Sequence, residues 1–459
     1  MKRRTFLGLG AAAAGAATLV TEKTFSQTIR TKPARVVVLG AGFAGLSAAL
    51  KLHDANVLHD ANVDFTVLES RNRVGGRVFT HVLDDVHDLR VELGAEWVGK
   101  SHEEVQKLCK RFDIELLNNQ FETDLLFRGS YQPSDQWDYT EEWKKRFDEI
   151  LKNFKQLPDA KQRELDRMDW WRFLVNNGIP ENDLFLRELL DSTDFGESIR
   201  HVSGFSALSE YAESSKKNEM DFKMKGGNGT LARKITEYIG SDKIKLGYHV
   251  EAIEQKNGKV KVTCTNGETF EADRLICTIP TFSLAKIKFT PALPKEKMDA
   301  INALQYARIN KHAVLFSERF WGREDFDLIT DTSAHYFYHA TKNQPSKSGA
   351  LISYSIGEKA DVFGWNDDHL RKQIVLESLR PIARAEDYLQ KQVNYYWGTD
   401  RYSKGSYAVY GKGQWFGLRP ILAEKFVNIH FAGEHIADWQ GFMEGAVSTG
   451  AEAAEAALS

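Results

Sequence analysis

Three glycines with the spacing Gly-x-Gly-x-x-Gly, Gly40, Gly42 and Gly45, form a pattern that can hold the pyrophosphate of a dinucleotide. The first permits a tight turn, the second lets the backbone approach the phosphates, and the third lets a helix pack closely on a strand. The N terminus of that helix offers free N–H groups to phosphate oxygens. An apolar strand pattern at residues 34–40 precedes the helix, and a second one ends in Glu69, whose carboxylate we expect to bind a ribose. This context makes the pattern specific for a dinucleotide, but it does not separate NAD from FAD.

The connection between the glycines and Glu69 is long because a hexapeptide is duplicated. The run Leu-His-Asp-Ala-Asn-Val at residues 52–57 recurs directly at residues 58–63. Two copies cannot form a solenoid. We interpret the repeat as a local insertion that lengthens the helix–strand connection.

Further motifs lie near both ends of the chain. Residues 69–77 read Glu-Ser-Arg-Asn-Arg-Val-Gly-Gly-Arg, and the guanidinium of Arg77 suits phosphate geometry. Residues 430–434 read His-Phe-Ala-Gly-Glu, and residues 438–446 read Asp-Trp-Gln-Gly-Phe-Met-Glu-Gly-Ala. These motifs resemble those of the flavin-containing amine oxidase family, which includes monoamine and polyamine oxidases and L-amino-acid oxidases. The resemblance extends from about residue 34 to residue 455 and is weakest in the middle.

The resemblance implies FAD as the cofactor and an α/β fold. In that fold a Rossmann-type FAD-binding domain is interleaved with an α+β substrate domain. The chain itself alternates between strand-rich segments and a helical segment at residues 101–220. The predicted segments are an export signal and linker (1–30), FAD-binding parts (34–125, 221–295 and 425–459) and substrate-domain parts (126–220 and 296–424).

The resemblance also assigns residues to the cofactor. Residues 92–99 are similar to the family's stretch beside the isoalloxazine ring, and the valine of a later strand is similar to one whose backbone holds the adenine. Near the C terminus, Gly-Glu is implied at the ribityl and phosphate portion, and the final helix directs its positive end at the flavin ring. The implied cofactor-binding residues are Gly40, Gly42, Ala44, Gly45, Glu69, Arg77, Gly94, Ala95, Glu96, Trp97, Val250, Gly433, Glu434 and Met443.

One lysine is implied in catalysis. Residues 306–316 are similar to the family's strand that carries a lysine, and Lys311 is the match. In the family this lysine holds a water against the flavin and aids the reduction of oxygen. The expected substrate is a small amine, which is oxidised at its C–N bond while oxygen becomes hydrogen peroxide.

Aromatic residues are implied around the substrate. Tyr407 and Phe442 match the two facing walls of the family's substrate site, although the second wall is often tyrosine. Trp397 and Trp439 lie in the same motifs. Ser406 occupies the place at which monoamine oxidases carry a cysteine that bonds to the flavin. Because serine cannot form this thioether, we predict that FAD is bound non-covalently.

Three alternatives remain open. An L-amino-acid oxidase would place an arginine after the position of Gly94 and Ala95 to bind the substrate carboxylate, but Glu96 and Trp97 stand there. Another arginine, such as Arg128 or Arg308, could replace it. A desaturase-like or porphyrinogen-oxidising flavoprotein shares the FAD motifs but does not need Lys311. A non-catalytic FAD-binding module is the third alternative.

The first residues resemble a twin-arginine export signal, with the start Met-Lys-Arg-Arg-Thr-Phe-Leu-Gly followed by a run rich in alanine and glycine. We therefore expect the twin-arginine machinery as a partner and a periplasmic or secreted location. The formal net charge of -3 gives no basic excess for nucleic-acid binding. The three cysteines, Cys109, Cys264 and Cys277, form no metal-binding pattern, so no metal site is expected. A homodimer is compatible with the sequence.

Overall fold

The structure is a computed structural model that describes residues 34–59 and 61–459. The predicted export signal lies outside the described residues and stays a prediction. In the part of the chain that the structure describes, no helix is long and apolar enough to cross a membrane.

Strands and helices are interspersed along the described residues. The strands are β1 (Ala34–Leu39), β2 (Val63–Glu69), β3 (Thr80–Asp84), β4 (Leu89–Glu92), β5 (Leu116–Asn118), β6 (Glu122–Phe127), β7 (Ser130–Gln132), β8 (Phe222–Met224), β9 (Ile244–Leu246), β10 (Val250–Lys256), β11 (Lys259–Cys264), β12 (Thr269–Ala272), β13 (Arg274–Cys277), β14 (Lys288–Thr290), β15 (Gln305–Tyr306), β16 (Ile309–Phe316), β17 (Phe326–Thr330), β18 (Tyr336–His339), β19 (Gly349–Ile356), β20 (Leu389–Tyr396), β21 (Ala408–Val409) and β22 (Ile429–Phe431). The helices are α1 (Phe43–His59), α2 (Glu103–Arg111), α3 (Glu141–Phe154), α4 (Asp159–Asp166), α5 (Trp170–Asn176), α6 (Glu181–Phe195), α7 (Gly204–Glu213), α8 (Gly229–Ile239), α9 (Thr281–Leu284), α10 (Lys295–Ala303), α11 (Gly357–Trp365), α12 (Asp368–Leu379), α13 (Gln414–Gly417), α14 (Arg419–Ala423) and α15 (Met443–Leu458).

A parallel sheet with the strand order β22-β13-β1-β2-β9 forms the first domain. Helices α1 and α15 cover one face, where side chains such as Val38, Leu46 and Val447 are buried together. The carboxyl ends of parallel strands meet at one edge, which is where such folds bind ligands. This edge brings together Gly40 after β1, Glu69 at the end of β2 and Gly433 after β22. The predicted α/β fold with a Rossmann-type sheet is confirmed.

A second sheet has the order β20-β16-β19-β18-β17-β6-β7, and its neighbours are antiparallel except for the parallel pair β17 and β6. Every residue of β16 and β19 is buried. The side chains of Phe363 and Leu379, from α11 and α12, pack in one cluster with Val314 of β16. The predicted domain boundaries stay predictions, and the one between residues 125 and 126 falls inside β6 of this sheet.

The duplicated hexapeptide extends α1. Its first copy lies within α1, while its second copy ends the helix and supplies Val63, the first residue of β2. The side-chain amide of Asn56 donates to the Val63 carbonyl at 2.6 Å and accepts from the Val63 N–H at 2.7 Å. The insertion therefore joins helix and strand without disturbing the edge at which Glu69 lies.

Candidate active site

A cavity of about 250 Å³ lies between the carboxyl edge of the parallel sheet and the second sheet. Two of the predicted residues do not line it. Gly45 packs against the backbone carbonyl of Gly40. Trp439 packs against the ring of Phe442 with 5.6 Å between ring centroids. The predicted residues that do line it are Gly40, Gly42, Ala44, Glu69, Arg77, Gly94, Ala95, Glu96, Trp97, Val250, Lys311, Trp397, Tyr407, Gly433, Glu434, Phe442 and Met443.

Glu69 joins two glycine-containing loops at one end of the cavity, residues 40–42 after β1 and residues 70–77 after β2. Its carboxylate accepts from the Ala41 N–H at 2.7 Å and from the Arg71 N–H at 2.8 Å. Burial raises the pKa of Glu69. A carboxylate can accept about four hydrogen bonds, so both backbone contacts leave lone pairs for a ribose.

The two loops touch through their glycines. The Gly75 N–H donates to the Ala41 carbonyl at 2.8 Å. A Cβ atom added to Gly76 would lie 3.0 Å from the Gly42 Cα, and Gly76 has a φ of +59°. Larger side chains at these glycines would therefore push the two loops apart at this end of the cavity.

Arg77 connects the loop after β2 to Ser406 and Glu434. Its Nη1 donates to Glu434 Oε1 at 2.6 Å and to the Ser406 carbonyl at 2.7 Å. Glu434 Oε2 accepts from the Gly441 N–H at 2.9 Å. The predicted phosphate-facing arginine thus has a carboxylate partner of its own at the cavity wall.

A second arginine pair was missed by sequence reasoning. Arg71 donates to both carboxylate oxygens of Asp400, at 2.8 and 2.7 Å, and both side chains are largely buried. The pKa of Asp400 is lowered, because the hydrogen bonds and charge of Arg71 outweigh the opposing effect of burial. Arg71 stands in the motif at residues 69–77, but nothing in the sequence marks Asp400 as its partner.

Lys311 lies on the buried strand β16 and lines the cavity beside residues 92–94. Its Nζ donates to the Gly94 carbonyl at 2.7 Å, to the Glu92 carbonyl at 3.2 Å and to the Tyr338 hydroxyl at 3.0 Å. Burial lowers the pKa of Lys311 to about 8. An amine with a pKa near neutrality can exchange a proton at moderate pH.

Aromatic side chains surround the remaining space. The hydroxyl oxygens of Tyr407 and Tyr354 lie 2.9 Å apart, and Tyr354 is the register partner of Lys311 on β19. Phe442 directly precedes α15 and lies 5.0 Å from the ring of His102. Trp397 donates from Nε1 to the Leu93 carbonyl at 2.7 Å and so supports the wall at residues 92–97.

Three carboxylates near these rings were also missed. Asp194, Glu210 and Glu219 all line the cavity. The Tyr407 hydroxyl lies 3.3 Å from the Asp194 carbonyl, and burial raises the pKa of the Asp194 side chain to about 7. They belong to the helical middle of the chain, where no motif indicated a site.

The sequence matches the model of the family described as flavin containing amine oxidoreductase over residues 43–458. The chain belongs to this family. It is 27% identical to flavin-containing amine oxidase A of Equus caballus over 92% of this chain and 85% of that protein. It is 28% identical to polyamine oxidase 2 of Arabidopsis thaliana over 94% of this chain and 89% of that protein. Among solved structures, cyclohexylamine oxidase from Brevibacterium oxydans has the same fold, with a TM-score of 0.79, 20% identity and coverage of 93% of this chain and 99% of that one.

Membership of this family implies FAD, and the residues present fit it. A Cβ atom added to Gly42 would lie 3.9 Å from the Gly76 Cα, an ordinary van der Waals contact, so the backbone here is open to a ligand. Gly42, Phe43 and Ala44 at the start of α1 line the cavity, as does Met443 at the start of α15. Two helix N termini at one cavity favour an anionic group such as a pyrophosphate.

A matched pair of glycine variants tests this fit. A Cβ atom at Gly45 would lie 1.8 Å from the Gly40 carbonyl oxygen, so we expect Gly45→Ala to lower the free energy of unfolding by about 1–3 kcal/mol. Gly42→Ala is expected to leave apoprotein stability within about 0.5 kcal/mol and to weaken FAD binding about tenfold or more. Thermal unfolding of the apoproteins and FAD titration followed by flavin fluorescence check both. Wild-type affinity in Gly42→Ala would contradict the role of Gly42.

Proposed function

We propose that this enzyme binds FAD non-covalently and oxidises the C–N bond of an amine to an imine, while oxygen is reduced to hydrogen peroxide. The imine then hydrolyses to an aldehyde or ketone plus ammonia or an amine. When bound, FAD supplies the two-electron acceptor that this reaction needs. The observation that carries the proposal is the combination of carboxylates and aromatic rings around one part of the cavity.

The carboxylates favour a cationic substrate over an anionic one. The Tyr407 hydroxyl meets the backbone carbonyl of Asp194, whose carboxylate accepts from the Tyr211 hydroxyl at 2.7 Å. The carboxylate of Glu219 lies 3.5 Å from His102, which packs on Phe442. Both acidic residues line the same cavity as the two rings. An amine that arrives as an ammonium ion gains from these charges, whereas a substrate carboxylate is repelled.

The rings of Tyr407 and Phe442 supply an apolar lining for the reacting carbon. Oxidation needs the neutral amine, since its lone pair assists the departure of hydride. Apolar surroundings disfavour the charged form of an amine. The two rings are therefore proposed to bind the substrate after it loses its proton.

Lys311 supports an oxidase rather than a module that only binds FAD. It is buried, it lines the cavity, and the rings of Trp97, Tyr338 and Tyr354 lie 5.5–5.6 Å from its Nζ. A buried lysine with a lowered pKa is costly to keep unless it has a use. A desaturase-like or porphyrinogen-oxidising enzyme would not need it.

The amino-acid oxidase alternative lacks an arginine for the substrate carboxylate. Arg308 is bound to Glu197 and Asp361, and neither it nor Arg128 is among the described residues that line the cavity. The arginines that do line it, Arg71 and Arg77, are paired with Asp400 and Glu434. The names of the two relatives, an amine oxidase and a polyamine oxidase, also support amines.

Non-covalent binding is supported by the cysteines. Cys109, Cys264 and Cys277 are buried, and none of them is among the cavity-lining residues. Ser406 lines the cavity and donates from Oγ to the Ala307 carbonyl at 3.2 Å. A thioether to the flavin is therefore not proposed.

Export through the twin-arginine machinery to the periplasm or beyond is proposed from the first residues alone.

Pairs of compounds that differ only by an α-carboxylate test the substrate class. We expect 2-phenylethylamine, putrescine or cadaverine to yield peroxide with kcat/KM about 100-fold above L-phenylalanine, L-ornithine or L-lysine, respectively. That factor is roughly 3 kcal/mol, as expected for burying an unpaired carboxylate. Peroxide release and anaerobic bleaching of the flavin are measured for each pair. Preference for the amino acids would contradict the amine oxidase proposal, and a flavin that no compound bleaches would favour a non-catalytic module.

Denaturation tests the mode of cofactor binding. After acid precipitation of the FAD-loaded protein, we expect all flavin absorbance in the supernatant, because none of the described residues that line the cavity is a cysteine. Ser406→Ala is expected to release flavin equally, since the serine forms no bond to it. Flavin that stays with the precipitate of either protein would refute non-covalent binding.

A further inference from the structure

A buried cluster of ionisable side chains lies beside Lys311. Besides Lys311 it contains Glu92, Glu96 and Lys223, all of them at least nine-tenths buried. Glu96 and Lys311 line the cavity, whereas Lys223 of β8 does not. The proposed reaction uses Lys311 and leaves the second lysine without a role.

The carboxylate of Glu96 is shared unequally between the two lysines. Its Oε1 lies 2.8 Å from Lys223 Nζ, while its Oε2 lies 3.6 Å from Lys311 Nζ. The Tyr338 hydroxyl donates to Oε2 at 3.1 Å. Lys223, whose Nζ donates to the Ala340 carbonyl at 3.0 Å, is therefore the nearer of the two cations to the carboxylate. The oxygen on the side of Lys311 already accepts a hydrogen bond from Tyr338.

Lys311 is instead bound by neutral acceptors. Two backbone carbonyls and the Tyr338 hydroxyl accept from its Nζ. Neutral acceptors stabilise an ammonium ion less than an adjacent carboxylate does. The arrangement thus allows Lys311 to lose a proton without breaking an ion pair at hydrogen-bond distance.

We propose that Lys223 is a positioning residue that holds Glu96 away from Lys311 and so eases the release of a proton from Lys311 into the cavity. Lys223 acts in two ways, because it compensates the carboxylate and adds a like charge nearby. Both effects disfavour the ammonium form of Lys311. Its significance for catalysis rests on the proposed function, but its effect on Lys311 does not.

Two other groups near Lys311, Glu92 and Tyr395, have hydrogen-bond partners that the variants below do not remove. The Glu92 carboxylate accepts from the Thr80 hydroxyl and the Asn228 N–H, and the Tyr395 hydroxyl donates to Asp400. The lowered pKa of Lys311 agrees with the geometry, since burial and the charge of Lys223 lower it while Glu96 and Glu92 raise it. The groups that face Lys311 are Glu92, Glu96, Trp97, Lys223, Tyr338, Tyr354 and Tyr395.

The test follows the absorbance of oxidised flavin in the FAD-loaded protein between about pH 6 and pH 10, without substrate. A titration that disappears in Lys311→Met belongs to Lys311. We expect Lys223→Met to raise its apparent pKa by about one unit or more, and Glu96→Gln to lower it similarly. Loosened packing would move both variants in the same direction, so opposite shifts identify the electrostatic role.

Further variants separate charge from folding. Removal of one partner of a buried pair is strongly destabilising, so Lys223→Met is also made in the Glu96→Gln background. There it is expected to raise the apparent pKa relative to Glu96→Gln alone, because a like charge is lost. Lys223→Arg keeps the charge and is expected to titrate as the wild type does. Lys342→Met is the matched control, since Lys342 is also buried, donates to the Gln120 carbonyl and does not line the cavity.

Each outcome decides between the proposals. Shifts in the same direction, unchanged titrations in both variants, or no Lys311 titration in the wild type would overturn the role of Lys223. The expected shifts in a protein that releases no peroxide from any amine would retain the role of Lys223 and reject amine oxidation. Peroxide release with unshifted titrations would retain amine oxidation and reject the role of Lys223.

Discussion

The backbone of residues 92–97 is the part of the cavity wall on which the rest of the site depends. Its carbonyl groups accept hydrogen bonds from Lys311 of β16 and from Trp397, which follows β20 of the same sheet. They also accept from the side chain of Asn228, which directly precedes α8. A Cβ atom at Gly94 would lie 2.0 Å from the Arg77 carbonyl oxygen, so the segment is pressed against the loop that follows β2. A shift of this segment would therefore move the lysine, the aromatic wall and the dinucleotide loop together.

Such a wall places polar groups where water is excluded, and their charges must then balance. Glu92 and Glu96 face Lys223 and Lys311, and Arg77 and Arg71 face Glu434 and Asp400. Isolated charges at these depths would be strongly unfavourable, whereas paired ones are tolerated. Pairing also fixes geometry, because the Arg77–Glu434 pair holds the motif after β2 against the segment that leads into α15.

The sequence predicted those parts of the site whose chemistry is local. Gly40, Gly42 and Glu69 follow from strand, turn and helix patterns within one βαβ unit, and Lys311 was placed by resemblance on a strand that proves fully buried. Partners from distant parts of the chain were missed, because no local pattern encodes them. Asp400 meets Arg71 across 329 positions, and Lys223 meets Glu96 where Phe222 of β8 and Val98 exchange backbone hydrogen bonds. Asp194 and Glu219 belong to a helix and a loop, and the spacing of apolar residues in these segments indicated only how they pack, not that they line a site.

The order of these segments along the chain bears on when the cofactor can bind. The glycine loop is complete by Gly45, but its counterpart at Gly433, Glu434 and Met443 comes near the other end of the described residues. Glu434 must be present before Arg77 has its carboxylate partner, and α15 must be present before α1 is covered. A ligand that binds only this assembled site stabilises the folded state. Cofactor loading is thus expected to follow synthesis of almost the whole chain.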